Sequence, residues 1–412
     1  MALETKLVKI KDLGTVITGG TPPTKQRQYY GNSVPLIKPT DMVLGQRYIG
    51  DTEESLSDTG VVKFKNKLVP ANTPCVVTIG TIGKSCLTKE VSLVNQAVNC
   101  VVVDTEKYDI MYVYYLMQLT IPTVKSLNSG TASGRENVSK SVFENIDVKV
   151  VVDKVQQAEL GQQLSEYDSL IENNNRRIAI LEDMAQSLYR EWFVNFRFPG
   201  NADNIDSDGK PKLIDSPLGL IPEGWEIKPL GEIVHFKRNT VKKGNVPDLT
   251  PYMWLEHFPR KSIALSDWEE VSEIGSNKLA FNRGDILFGK IRPNFHKVGV
   301  AQVDGLCSSD TFVFSPKELE HNALIAMASF SNEFVAQAVQ TAQGSKMPRA
   351  SWDVLKEFPV YIPTLNILEG FNSVVNPAIE QIRALSLKNN NLKKQRDMLL
   401  PKLISGQIEL KD

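Results

Sequence analysis

A chain of 412 residues has room for two domains, and 42% hydrophobic with 23% charged residues is ordinary for a protein that buries real cores. A net charge of −1 argues against coating nucleic acid through bulk charge, so any such contact must come from local basic patches. Cys75, Cys86, Cys100 and Cys307 show no C-x-x-C spacing, MALETKLVKI has no apolar leader, and no stretch approaches eighteen apolar residues; a reduced, cytoplasmic protein without structural metal or membrane span is expected.

Residues 1–150 read as a first globular domain. A strand-like opening leads into the turn-rich loop Ile17 to Thr24, followed by Lys25, Arg27, Tyr29 and Tyr30. Glycines let a backbone approach a ligand, and basic and aromatic neighbours suit phosphate and base contacts, which makes Thr21, Lys25, Arg27 and Tyr29 candidates for DNA binding. Turn chemistry alone also explains every glycine and proline there. Cys75 to Ile79 reads as a buried strand, and Gly80 to Ser85 imitates a phosphate-binding loop. Thr78 holds the place of that motif's first glycine, and strand-like Cys86 to Val94 follows where a helix is needed, so nucleotide binding is rejected. Lys84 in this turn is kept as a DNA candidate. A helix is expected over Tyr108 to Leu119, a small-residue loop with Arg135 at its tip over Ser126 to Lys140, and a strand over Phe143 to Val152. Arginine can grip a phosphate or a guanine edge with two parallel bonds, although a solvated loop is the usual setting of a single one.

Residues 151–196 carry a heptad seam in Leu160, Leu164, Tyr167, Ile171, Asn174, Ile178, Leu181, Ala185, Leu188 and Trp192, spaced alternately by four and three. The spacing predicts one long helix over Val155–Phe196, with 4 Lys+Arg against 8 Asp+Glu in 151–196, too acidic to be the place for a phosphate backbone. Phe371, Val375, Ala378, Ile382, Leu385, Asn389, Leu392, Arg396, Leu399 and Leu403 repeat the pattern 211 residues later, so 364–412 is a second rod and the chain is an internal duplication. In the repeat Asn174 falls opposite Leu385, Asn389 opposite Ile178 and Arg396 opposite Ala185; polar seam residues fix register at a cost in stability. Pro377 predicts either a helix ending near Asn376 with a fresh start, or a kink.

Between the rods, 197–217 reads as a polar linker in which Asn204, Asp206, Asp208, Gly209 and Asp215 only approximate a calcium loop, with Pro217 and Pro222 forbidding the helix that should follow. Residues 218–363 replay the first domain: Asp285 to Phe288 with Gly289 to Pro293 echoes the earlier strand and glycine turn, and Gly344 to Arg349 echoes Gly130 to Arg135. Lys237, Arg238, Lys242 and Lys243 form one basic cluster, and Lys290, Arg292, His296 and Lys297 another. Solvated faces commonly look like this, but two such clusters beside a repeated glycine turn make Lys237, Arg238, Lys242, Lys243, Lys290, Arg292, His296, Lys346 and Arg349 DNA candidates.

Catalytic signatures are missing. There is no F-x-G-x-G or [DNS]-P-P-[YFW] methyltransferase motif, Pro247-Asp248 has no [DE]-x-K within thirty residues, and His235, His257, His296 and His321 stand singly, without metal spacing.

The duplicated rods, the segments Leu188 to Phe196 and Gly219 to Trp225, and the closing Leu399 to Ile408 together resemble the specificity subunits of Type I restriction-modification systems across essentially the whole chain. The resemblance implies a mixed α/β (α+β) fold: two target recognition domains separated by two long antiparallel coiled-coil helices, with internal pseudo-twofold duplication. It implies that each domain reads half of a bipartite site in double-stranded DNA, that the helices set the spacer, and that they dock two methylation subunits and, through these, restriction subunits. S-adenosylmethionine, ATP and Mg would then belong to those other subunits, with no catalytic residue, metal or cofactor on this chain. Two other classes stay open: a scaffold whose domains bind protein, and an enzyme with a divergent active site.

Overall fold

The computed structural model describes residues 3–128, 136–201, 212–342, 344 and 347–408. The chain divides into two compact units, one made of Met1–Glu172 with Leu392–Asp412, the other of Asn173–Asn391.

In the first unit Gly14–Thr18, Val98–Val103, Pro74–Val77 and Ser85–Leu87 form one sheet in that order, and Glu54–Leu56, Tyr30–Ile37, Ser92–Val94 and Leu68–Val69 a second. The buried strands are short apolar runs rich in valine, as two covered faces require. Helix Ile110–Ser126 starts on Asp109, whose carboxylate accepts from Tyr112 N at 2.8 Å, an N-cap that satisfies an otherwise orphaned donor. Its Tyr112 and Tyr115 share a core with Ile10, Leu13, Phe143, Leu160, Leu164, Leu403 and Ile404. Each fully buried Leu or Ile there contributes about 1.5–3 kcal/mol.

The second unit repeats this plan with additions. Val234–Lys237, Thr311–Pro316, Ile286–Gly289, Val298–Ala301 and Ala264–Leu265 form one sheet; Thr240–Val241, Lys278–Phe281, Gly305–Cys307, Gly244–Met253 and Glu269–Ile274 form the other. One short parallel pairing recurs in both units, Leu36 with Leu93 and Tyr252 with Leu306. Phe193, Trp225, Phe288, Phe314, Phe334 and Phe371 fill the core.

The long helices run over Lys154–Tyr189 and Leu365–Ile404. Within each unit their segments pack antiparallel: Arg396 meets Asp168 in the first, and in the second Asn174 Nδ2 donates to Asn389 Oδ1 at 2.8 Å while Trp192 lies 5.9 Å from Phe371. Leu160, Leu164, Ile171, Asn174, Ile178, Phe371, Val375, Ile382, Leu385, Asn389 and Leu403 are buried, whereas Tyr167, Leu181, Leu188, Trp192, Leu392 and Leu399 are half-buried.

Several expectations need correction. The repeat alignment that set Asn174 opposite Leu385, Asn389 opposite Ile178 and Arg396 opposite Ala185 is not the packing partnership, because antiparallel helices pair positions running in opposite directions. The first α-helix ends at Tyr189 and passes into a wider turn over Arg190–Val194. Phe143 is helical, in the short helix Lys140–Glu144 that Ser139 caps, and the strand begins only at Asp147. No break falls at Asn376: the second helix continues through Pro377, with Ala378 and Ile379 buried beside it, so packing outweighs one missing N–H bond. Leu213–Ser216, at the end of the expected linker, pairs with Gly219–Pro222 as a hairpin whose turn needs Gly219 at φ +106°. Asp215 lies in that strand; Asn204, Asp206, Asp208 and Gly209 lie outside the described residues. No helix among the described residues is long and apolar enough to cross a membrane.

Candidate nucleic-acid interface

In the second unit the buried strand Ile286–Gly289 ends in a turn that the chain near residue 349 closes from the side. Ile291 bridges to Arg349, Arg292 N donates to Pro348 O at 2.8 Å, and Ala350 N donates to Lys290 O at 2.9 Å. In the first unit Ile79 bridges to Asn137 and Gly80 N donates to Glu136 O at 2.9 Å. Each unit therefore brings the glycine turn after an equivalent strand against an equivalent later loop.

The two loops carry different chemistry. In the second unit Lys290 lies over the Phe312 ring at 4.8 Å and donates to Ser309 O at 2.6 Å. Burial pushes its pKa down, and nearby Arg238 and Arg349 push the same way against Asp310. Arg238 lies 5.1 Å from the Phe236 ring centre, and Phe236 stacks on Trp352 at 4.2 Å. Arg349 Nε reaches Asp310 Oδ1 at 3.3 Å and stays half exposed. Crowded like charges backed by an aromatic wall favour an incoming anion, and the flat guanidinium groups suit phosphate or a base edge.

Other candidates are placed differently. Lys237 donates to Asp285 at 2.7 Å, so its charge balances a buried carboxylate. His296 is buried, with Nε2 2.9 Å from Phe330 O; the left-handed backbone at φ +51° turns it back into the unit. Both are dropped as surface contacts. Lys242, Lys243 and Arg292 are exposed. In the first unit Lys25 and Arg27 are exposed, Arg27 lying 5.7 Å from the Tyr30 ring; Tyr29 meets Phe64 edge-on, and Thr21 bonds Gln96. Lys84 donates to Pro39 O at 2.7 Å. Arg135 and Lys346 lie outside the described residues.

Sequence reasoning missed Lys67, which reaches across to donate to Gly19 O at 3.1 Å and brings a charge to the Gly19-Gly20 turn. The alternating Lys63, Lys65, Lys67 run was the available signal.

Comparison with known proteins gives a consistent result. The family described as "Type I restriction modification DNA specificity domain" matches residues 3–183 and 222–395. The Type I restriction enzyme MjaIX specificity subunit of Methanocaldococcus jannaschii is 25% identical over 425 residues, spanning 98% of this chain and 93% of that protein. The HindI specificity subunit of Haemophilus influenzae is 28% identical over 178 residues, 42% of this chain and 38% of its own. The crystal structure of a Type I restriction-modification S subunit from M. genitalium superposes with a TM-score of 0.59 at 14% identity, covering 99% of this chain and 97% of that one, a likeness of fold.

Proposed function

The chain belongs to the Type I restriction-modification DNA specificity family, and from that premise we propose that each of its two target recognition domains reads one half of a bipartite DNA site. As a specificity subunit it is non-catalytic and works in a complex with DNA and other subunits.

The carrying observation is the repeated meeting of a glycine turn with a later loop, in two units of one topology whose loop side chains differ. One framework with two sets of loop chemistry suits two unlike half-sites, since base edges are read by side chains while the scaffold sets position. The helix pair sets the gap between half-sites: the 36-residue first helix rises about 54 Å, well over one turn of duplex. Leu170, Ile180, Met184, Val374 and Met398 are exposed apolar residues on the two helices, and they support docking of two methylation subunits there. Restriction subunits join through these, and S-adenosylmethionine, ATP and Mg are used on those partners.

The test is methylome sequencing of cells expressing this chain with the methylation subunit encoded beside it, against cells lacking this chain. N6-methyladenine at one split motif with a fixed unspecified gap is the expected result. A soluble complex that yields no new methylated motif overturns the reading and leaves the protein-binding scaffold in front.

A further inference from the structure

Next to the loop that carries Lys290, the second unit holds a group of cations that includes the exposed candidate Arg292 and adds Arg260 and Lys261. The short turn Pro293–Phe295 is flanked by Arg292 and His296, both in left-handed backbone at φ +50° and +51°, and Lys261 at φ +53° donates its N–H to His296 O at 3.1 Å. Non-glycine residues rarely take that conformation, and three of them meet here. Their arrangement presents Phe295 as a platform: the Arg260 guanidinium carbon stands 4.0 Å from the ring centre and that of Arg292 stands 6.0 Å away. A planar guanidinium on a ring face keeps its N–H donors at its edge, facing outward.

Those donors have no acceptor among the described residues. Arg260 and Arg292 are exposed, and among the described residues neither side chain makes a hydrogen bond or ion pair. Arg47 in the first unit shows the contrast: its fork is taken up by Ser165, Ser169 and Glu172. Lys261 is exposed as well, and Lys297, whose ammonium donates to Leu255 O, lies near enough to Arg260 and to the Glu256 carboxylate for their charges to interact. Arg292 follows the Lys290 loop directly in the chain, while Glu182 and Asp183 line the same pocket as Lys261 and His296, so the free charge of the group rests on Arg260 and Arg292.

We propose that Arg260 and Arg292, held on Phe295, form a clamp for the phosphate backbone of duplex DNA, a contact that adds affinity without reading bases. The proposal rests on the DNA-recognition reading above. Each arginine can give one phosphate two parallel N–H bonds, and a phosphate fits donors that are preset and that pair with no carboxylate among the described residues.

The experiment uses the full chain with its co-expressed methylation subunits and two duplexes, one carrying the motif found by methylome sequencing and one with both half-sites scrambled. Affinity is measured against salt concentration for wild type, for Arg260→Ala with Arg292→Asn (asparagine tolerates left-handed backbone), and for Phe295→Leu. Each lost phosphate contact flattens the slope of log affinity on log salt by about 0.9. The double variant is expected to flatten it by nearly twice that on both duplexes alike, keeping the preference for the motif and the assembled complex. Phe295→Leu keeps both charges and is expected to weaken binding to both duplexes severalfold. A wild-type slope in the double variant overturns the clamp alone, and a double variant that sheds its methylation subunits overturns it in favour of a protein-docking face. If wild type shows no preference for the motif, the recognition reading falls and the clamp with it.

Discussion

Asp168 is buried on the first long helix, accepting from the Tyr115 hydroxyl at 2.7 Å on one oxygen while Arg396 from the second helix closes on the other. Burial opposes the charge on Arg396, but the paired carboxylate outweighs it and holds the guanidinium protonated. Asp168→Ala removes the buried acceptor shared by Arg396 and Tyr115, leaving Arg396 only the exposed Asp397 carboxylate, and should destabilise the first unit by about 1–3 kcal/mol. Asp168→Leu with Arg396→Met should cost much less than the sum of the single changes, as thermal unfolding of the four proteins would show. His296 gives a pH signature. Burial, with Lys261 nearby, lowers its pKa from 6.5 against the pull of the Phe330 carbonyl, so the unfolded chain binds the proton more readily. Its contribution to stability is therefore complete above pH 6.5 and is lost as pH falls through the lower folded value. Denaturant midpoints at about pH 7.5 and about pH 5.5 should differ more for wild type than for His296→Gln, which cannot titrate.

Among elements, the long helices were the most legible because their heptads repeat over ten positions, enough for periodicity to outweigh local ambiguity. Short elements were harder. The segment around Phe143 alternates like a strand, yet Ser139 accepts from Val142 N and starts a helix of five residues that only the core around Phe143 sustains. The basic clusters were visible as charge, but their partners were not: Asp285 lies 48 residues from Lys237, and no local pattern announces that pair. Arg260 and Phe295 were missed for the same reason, since the ring and the cation meet only through folding. Gly161 on the first long helix is another position where local rules mislead. Alanine normally improves a helix interior by about 1 kcal/mol. Here its Cβ would fall 2.7 Å from Tyr112 N and 3.0 Å from Asp109 Oδ1, on the N-cap of the neighbouring helix. Gly161→Ala should lower stability by about 1–3 kcal/mol, and a raised melting temperature would refute the close packing.

For the whole molecule, the first unit is completed by the far end of the chain. Leu3 N donates to Gly406 O at 2.9 Å, the Tyr112 hydroxyl donates to Ile404 O at 2.8 Å, and Leu403 and Ile404 lie in the same core as Ile10 and Leu13. A chain stopped after Leu392 should lose hydrogen-exchange protection in helix Ile110–Ser126 while keeping it in the strand Thr311–Pro316 of the second unit. Equal protection in both would mean that the closing segment is dispensable.

That closure also bears on how the protein is made. A ribosome delivers residues in order, and domains generally fold as units from the N-terminus as they emerge. Here the unit begun first cannot finish first, because Leu403 and Ile404 follow Asn173–Asn391, which is continuous and is complete before them. The first unit's unfilled core must wait through synthesis of more than half the chain, exposing apolar surface to chaperones and proteases. A chain truncated after Asn391 would have a continuous second unit and a first unit whose core lacks Leu403 and Ile404.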